Sequence, residues 1–185
     1  MATSSTETRV VFASGFEGLF SKDFRKRLTP ALIAELKALG VNIEKPFNPA
    51  YTVETWASVI NACSRHIYPE LSLPDASWKL GRDTVDGFAH TMIGKALFTM
   101  MKLIGPARSL ERSMRSYAST NNYTKVTLQR TGPTSYDFGL NEKHTLPQYD
   151  MGVVEWLLQM CGAKNVSVTL TTHDAEGFMA QLTWE

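Results

Sequence analysis

The apolar residues of this chain change period once, near Asn121, and that change limits the fold more than any other feature. Before it, apolar side chains recur three and four residues apart, the spacing of one helix face. After it, Thr124, Val126 and Leu128 alternate with Lys125, Thr127 and Gln129, a Thr-Gly-Pro-Thr turn follows, and Tyr136, Phe138 and Leu140 alternate on the way back. Period two on both sides of a turn predicts a β-hairpin with one buried face. A helix over about Tyr149 to Cys161 comes next, carrying Val153, Val154, Trp156, Leu157 and Met160 and stopped by Gly162. A second hairpin completes the pattern: Val166, Val168 and Leu170 run out, His173 to Gly177 turn, and Phe178, Ala180, Leu182 and Trp184 return. Helices first, then two hairpins flanking a helix, predict an α+β fold, with an N-terminal helical layer packed on an antiparallel sheet of about four strands. Two hairpins and one helix cannot cover a sheet alone. The chain therefore reads as one domain over 9–185 behind a flexible tail, 1–8.

Local signals place the helices. A short strand is predicted at Val10–Phe12, ahead of Gly15 and Gly18. Thr29-Pro30 is an N-cap hydroxyl before a proline, and Leu32, Ile33, Leu36 and Leu39 continue a helix that Gly40 ends. The segment 41–51, with Pro46, Pro49, Asn42 and Asn48, is predicted irregular. A second helix starts at Thr52, with Val53, Trp56, Val59, Ile60 and Cys63 on its apolar face and Pro69 at its end. A long third helix is predicted from Pro74 to Ile104, closed by Gly105-Pro106. Its second half, MIGKALFTMMKLIG, is apolar nearly all round, which predicts the buried central helix of the fold. Gly81, Gly87 and Gly94 inside it each cost about 1 kcal/mol against Ala. They mark close packing, a break near Gly81, or a groove where a ligand or another backbone approaches. The fourth helix, PARSLERSMRSY, puts Leu110, Met114 and Tyr117 on one face and Arg108, Arg112 and Arg115 on another.

Composition narrows the function. Hydrophobic residues make up 43% and charged residues 20%, which excludes a mostly disordered chain. With 19 Lys and Arg against 18 Asp and Glu, the net charge of +1 gives no general attraction to nucleic acid or anionic membrane. Cys63 and Cys161 lack metal or redox spacing and read as buried thiols of a reducing compartment. The N-terminus lacks the apolar core of a signal peptide, and no run nears 18 apolar residues. A cytoplasmic protein without membrane insertion is the expectation.

The chemistry-bearing residues are sparse. His66, His90, His144 and His173 make no metal-ligand spacing. No G-x-S-x-G, phosphate-binding loop or dinucleotide fingerprint is present, and Asp83 and Asp86 read as a solvated helix face. A non-enzyme is expected. Three arginines on one face can hold a phosphate or carboxylate, or can simply be solvated. Met92, Met100, Met101, Met114 and Phe98 suit either an adaptable apolar cavity or an ordinary core.

The runs LTPALIAELKALGVNIEKPFNPAY and LGRDTVDGFAHTMIGKALFTMMKLIGPARSLERSMRSYASTNNYTKVTL resemble a family of proteins of about this length, expanded in myxobacteria and known as a domain of unknown function. Leu39-Gly40, the segment from Gly94 to Gly105-Pro106, and Asn121-Asn122-Tyr123-Thr124 carry that resemblance. More distantly, helices ahead of a hairpin–helix–hairpin half resemble the superfamily of haem-nitric-oxide-binding domains and the related small-molecule-binding domain named after vinyl reductase. The haem domains carry a proximal His on the helix before the first hairpin, where this chain reads RSLERSMRSYAST. Their Tyr-x-Ser-x-Arg motif falls where it reads Tyr136-Asp137-Phe138-Gly139-Leu140. Neither part of that haem site carries over, but the Met- and Phe-lined helix and its internal glycines, taken with the distant resemblance, point to a small-molecule sensor or regulatory domain holding an apolar or amphipathic ligand between helices and sheet, with His90, Met92, Phe98, Met101, Arg112 and Tyr117 as its expected contacts and no cofactor assigned. The alternative is an interaction module, a homodimer or a docking site for a signalling protein, pairing through a strand edge at Phe178 to Trp184. A haem-based gas sensor is the third reading.

Overall fold

The computed structural model describes residues 8–185, so the expected tail lies outside the described residues apart from Thr8. The chain runs β1 (Val10–Phe12), α1 (Ala13–Leu19), α2 (Lys22–Arg25), α3 (Pro30–Ala38), β2 (Ala50–Thr52), α4 (Val53–Ile67), α5 (Leu73–Ala89), α6 (Met92–Ile104) and α7 (Pro106–Tyr117). A 3-10 turn at Ala118–Thr120 then leads into β3 (Val126–Gly132), β4 (Ser135–Leu140), α8 (Pro147–Met160), β5 (Ser167–Asp174) and β6 (Gly177–Thr183). This is the expected α+β architecture.

Hydroxyl caps set most helix starts. Thr29 Oγ1 accepts from Leu32 N, Thr52 Oγ1 from Thr55 N, and Ser72 Oγ from Asp75 N, each taking up one donor that the first helical turn leaves unpaired. A fourth cap corrects the expected long helix. Thr91 Oγ1 accepts from Gly94 N at 3.0 Å, so the helix breaks at His90–Thr91 and not near Gly81. The restart folds α6 back against the end of α5, where a Cβ on Gly94 would come within 1.9 Å of the Phe88 carbonyl oxygen. A second correction follows. The apolar α6 is not the buried central helix: Gly94, Phe98 and Met101 face inward, while Met92, Ile93 and Leu103 are 86%, 72% and 84% exposed.

The central pair is α5 and α8. Gly81 lies over the backbone of Tyr149, and Gly152 lies over the backbone of Trp78. Each glycine lets one helix's backbone approach the other, so glycine here serves contact. Two apolar cores flank this pair. One gathers Phe16, Leu19, Leu32, Leu36 and Ile60 from the N-terminal helices, with Leu80 and Tyr149. The other joins Val85, Phe98, Met101, Leu110 and Met114 to α8 and to the sheet residues Tyr136, Phe138, Phe178 and Leu182. Val153 packs against both.

The sheet has the order β3-β4-β6-β5, all antiparallel. The strand expected to offer a free edge, Phe178 to Trp184, is therefore interior: β6 is hydrogen-bonded to β4 on one side and β5 on the other. The edges are β3 and β5. β1 pairs with β2 in a separate ribbon, with Val11 opposite Tyr51. The strand β2 falls in the segment expected to be irregular, and α1 and α2 were not expected.

Candidate functional site

The Asn121–Thr124 segment turns the helical half into the sheet. Asn121 Oδ1 accepts from Tyr123 N and Thr124 N at 3.1 and 2.7 Å, an Asx-type turn. Asn122 Oδ1 accepts from Val10 N at 2.9 Å, and Asn121 bridges Val11. Two adjacent asparagines thus tie β1 to the start of the sheet. Asn141 holds the far side: its Oδ1 accepts from Lys125 N at 2.6 Å, and its Nδ2 donates to Tyr123 O at 3.0 Å.

A small, partly open cavity of about 50 Å³ sits behind this stitching, at the seam between helices and sheet. Trp56 of α4, Tyr117 at the end of α7, and Val11 and Leu140 give it apolar walls. Tyr123, Glu142 and Asp150 give it polar ones. Both carboxyl groups are buried, Glu142 at 5% exposure and Asp150 at 4%. Glu142 is well partnered: Oε2 accepts from the Tyr123 hydroxyl at 2.6 Å, and Oε1 accepts from His144 N at 2.6 Å and Thr145 N at 3.3 Å. Asp150 Oδ1 accepts from the Tyr117 hydroxyl.

Burial dominates the electrostatics. Desolvation pushes Asp150 up to about 7; the Tyr117 hydrogen bond pulls the other way, and the Glu142 charge adds to the rise. The Tyr117 ring is partly exposed, but its hydroxyl is deep enough that burial, and then the Asp150 charge, raise it well above the usual phenol range. Tyr123 is raised by burial and by the charge of Glu142. A carboxyl that titrates near neutrality inside a cavity marks a candidate functional position. Protonated, Asp150 can donate one hydrogen bond; ionised, it only accepts.

Of the six residues expected to bind a ligand, the structure brings Tyr117 to this cavity. Phe98 and Met101 pack in the core shared by α5, α7, α8 and the sheet. His90 ends α5 with Nδ1 2.8 Å from the Asp86 carbonyl, and it is exposed, as are Met92 and Arg112. The wall residues Trp56, Asn121, Tyr123, Glu142 and Asp150 are not among the six expected ligand contacts. Asp150 sits in the first turn of α8, where an acid ordinarily just complements the helix dipole. The available signal was the Asn121-Asn122-Tyr123-Thr124 motif, which builds one wall.

A larger, open groove of about 590 Å³ runs along α5 and α8. Several of its polar groups are already engaged, within the groove or by residues beside it. Trp78 Nε1 donates to Glu155 at 2.6 Å, Trp156 Nε1 donates to Asp86 at 3.3 Å, and the Arg82 guanidinium lies 4.5 Å from the Trp156 ring centre. Asp83 accepts from Arg27 and the Tyr68 hydroxyl.

The model of a family described as "Protein of unknown function (DUF2378)" matches residues 9–185, so the chain belongs to that family. Among curated protein sequences, none matches. Solved H-NOX structures share the fold at low identity. An H-NOX protein from S. oneidensis in the Fe(II)NO state superposes with a TM-score of 0.62 at 12% identity, covering 94% of this chain and 99% of that one. The Fe(II) unliganded H-NOX protein from K. algicida gives 0.59 at 7%, covering 94% and 96%. An oxygen-binding H-NOX domain related to soluble guanylate cyclases gives 0.55 at 9%, covering 94% and 90%.

Haem does not fit the residues present. A haem iron needs an axial ligand, and α7, the helix before the first hairpin, carries no histidine and turns Leu110 and Met114 into the core. Tyr136 on β4 is stacked on Trp184 at 5.6 Å and donates to Glu111 at 2.8 Å. The cavity of about 50 Å³ has room for a molecule of few atoms and none for a porphyrin. Among the described residues, no group of three or more His, Cys, Asp or Glu is placed to hold a metal ion.

Proposed function

We propose that this DUF2378 chain is a non-enzymatic, small-molecule-binding regulatory domain whose ligand sits in the seam cavity, between the helical layer and the sheet. The observation that carries the reading is Asp150, a buried carboxyl brought near neutral pKa and facing a cavity walled by Trp56, Tyr117 and Tyr123. The walls suit a small amphipathic molecule. Its donor group hydrogen-bonds to Asp150, and its apolar part lies against Trp56 and Leu140. Because Tyr117 ends α7, Asp150 starts α8 and Val11 belongs to β1, such a ligand ties three separate elements together. Occupancy therefore favours the closed seam, and the domain reports it to a signalling partner by that shift. The H-NOX likeness supports this only at the level of fold, where sensing by a helix–sheet seam is one use of the architecture.

The test is a thermal-shift screen of small primary amines, alcohols and amides against wild type and Asp150→Asn at mildly acidic and mildly alkaline pH. A ligand present at a hundred times its Kd stabilises the folded state by about 2.7 kcal/mol, well within detection. Support is a hit whose shift is pH-dependent in wild type and lost in Asp150→Asn. Hits that stabilise both proteins equally would count against the assignment.

A further inference from the structure

The exposed face of α6 is unlike the rest of the surface. Met92, Ala96 and Leu103 run along its centre, Ile93 and Met100 lie on one flank, and Lys95 and Lys102, seven residues apart, lie on the other. All seven are exposed, opposite the buried Gly94, Phe98 and Met101. At 13 residues the helix is roughly 20 Å long, so this is an extended apolar ridge and not a single stray side chain. The next helix adds Arg108, Arg112 and Arg115, all exposed. Segment 92–117 holds five of the 19 Lys and Arg but one of the 18 Asp and Glu. The α6–α7 pair thus carries +4 and the remainder of the chain −3, an asymmetry that the net charge of +1 conceals. The single acid, Glu111, is half-buried and engaged by the Tyr136 hydroxyl.

We propose that α6, assisted by the α7 arginines, is a docking face for an anionic lipid surface, on which the protein lies without spanning it. Charge selects the occupant. A second copy packed through α6 would set Lys95 and Lys102 against the same two lysines, with the α7 arginines adding to the repulsion, so self-pairing is opposed by the residues that would frame it. A specific protein partner is anchored mainly by Trp, Tyr and Arg side chains, and the α6 ridge itself exposes none of these. An anionic bilayer needs only an aliphatic ridge seated at headgroup depth, with lysines whose stems lie along apolar surface and whose ammonium groups meet phosphates. This face supplies both. No helix among the described residues is long and apolar enough to cross a membrane, which agrees with surface attachment.

Co-sedimentation with phosphatidylcholine vesicles, with and without phosphatidylglycerol, at low and high salt tests this on the full chain. Expected are binding only to vesicles containing phosphatidylglycerol, loss of binding at high salt, and a reduction of at least about tenfold in both Lys95→Glu/Lys102→Glu and Met92→Glu/Leu103→Glu. All four positions are exposed, so circular dichroism and Tm should match wild type and certify folding. Equal binding to both vesicle types, no binding to either, or binding that survives both double variants would overturn the proposal. So would light scattering that shows a dimer abolished by Leu103→Glu, since a second copy would then occupy the face.

Discussion

Gly81→Ala sets two well-characterised effects against each other, and the structure decides which wins. In an exposed helix interior, replacing Gly by Ala stabilises by about 1 kcal/mol through backbone entropy. At position 81 the new methyl carbon would stand 2.0 Å from the Tyr149 carbonyl oxygen and 3.0 Å from the Val153 nitrogen. Ordinary contact begins at 3.4 Å, so the deficit exceeds one ångström, and the obstacle is backbone that no rotamer change can move. Relief requires α5 and α8 to part along their whole contact, including the reciprocal approach of Gly152 to the Trp78 carbonyl. Overpacking of this kind costs about 1–3 kcal/mol where side chains can yield, and more against backbone. With the helical gain subtracted, Gly81→Ala should destabilise by about 2–4 kcal/mol and lower Tm by about 5–15 °C for a chain of this size. The internal control is Gly18→Ala. Gly18 also lies in a helix, with nothing within 4 Å of its added carbon, and the change should stabilise by about 0.5–1 kcal/mol. Urea unfolding of both variants at equal m-value is the assay. Equal, favourable shifts for the two would refute the claim that close α5–α8 packing organises the fold.

Two further outcomes follow from the seam. The Asp150 pKa is raised in the folded state, so its contribution is full below the unfolded value near 4 and is lost as pH rises through about 7. Unfolding free energy should fall by up to a few kcal/mol across that window, and Asp150→Asn should flatten the fall; an unchanged slope would show that the carboxyl titrates normally. Haem-supplemented protein should show no shifted Soret band, because α7 offers no axial histidine; a ligated spectrum would mean that another side chain reaches the iron.

The hairpins were readable because strand burial has a two-residue signature that competes with nothing else near Tyr136–Leu140 and Phe178–Trp184. The order of the strands was not. Which hairpin strand sits inside is set by the pairing of β4 with β6, a long-range choice that local alternation does not encode. The starts of α3 and α4 were readable from Thr29-Pro30 and Thr52. By contrast, α1 and α2 are seven and four residues long, and α1 has glycines at 15 and 18 and no capping side chain at Phe12. They are held by burial of Phe16, Leu19 and Phe24, a tertiary effect. The exposure of α6 was hidden in the same way: an apolar composition looks identical whether it faces a core or solvent. At the site, Tyr117 was legible as part of a helix face, but its partner Asp150 lies 33 residues away and is disguised as a first-turn acid.

The central claim, a ligand held at the seam, is tested most directly by amide chemical-shift mapping of ¹⁵N-labelled protein against a library of small amphipathic amines and alcohols. The account predicts that binders perturb Val11, Tyr117, Asn121, Tyr123, Leu140 and Asp150 together, and that Asp150→Asn abolishes the perturbation. Binders that instead map to Trp78, Arg82 and Trp156, in the open groove of α5 and α8, would contradict it.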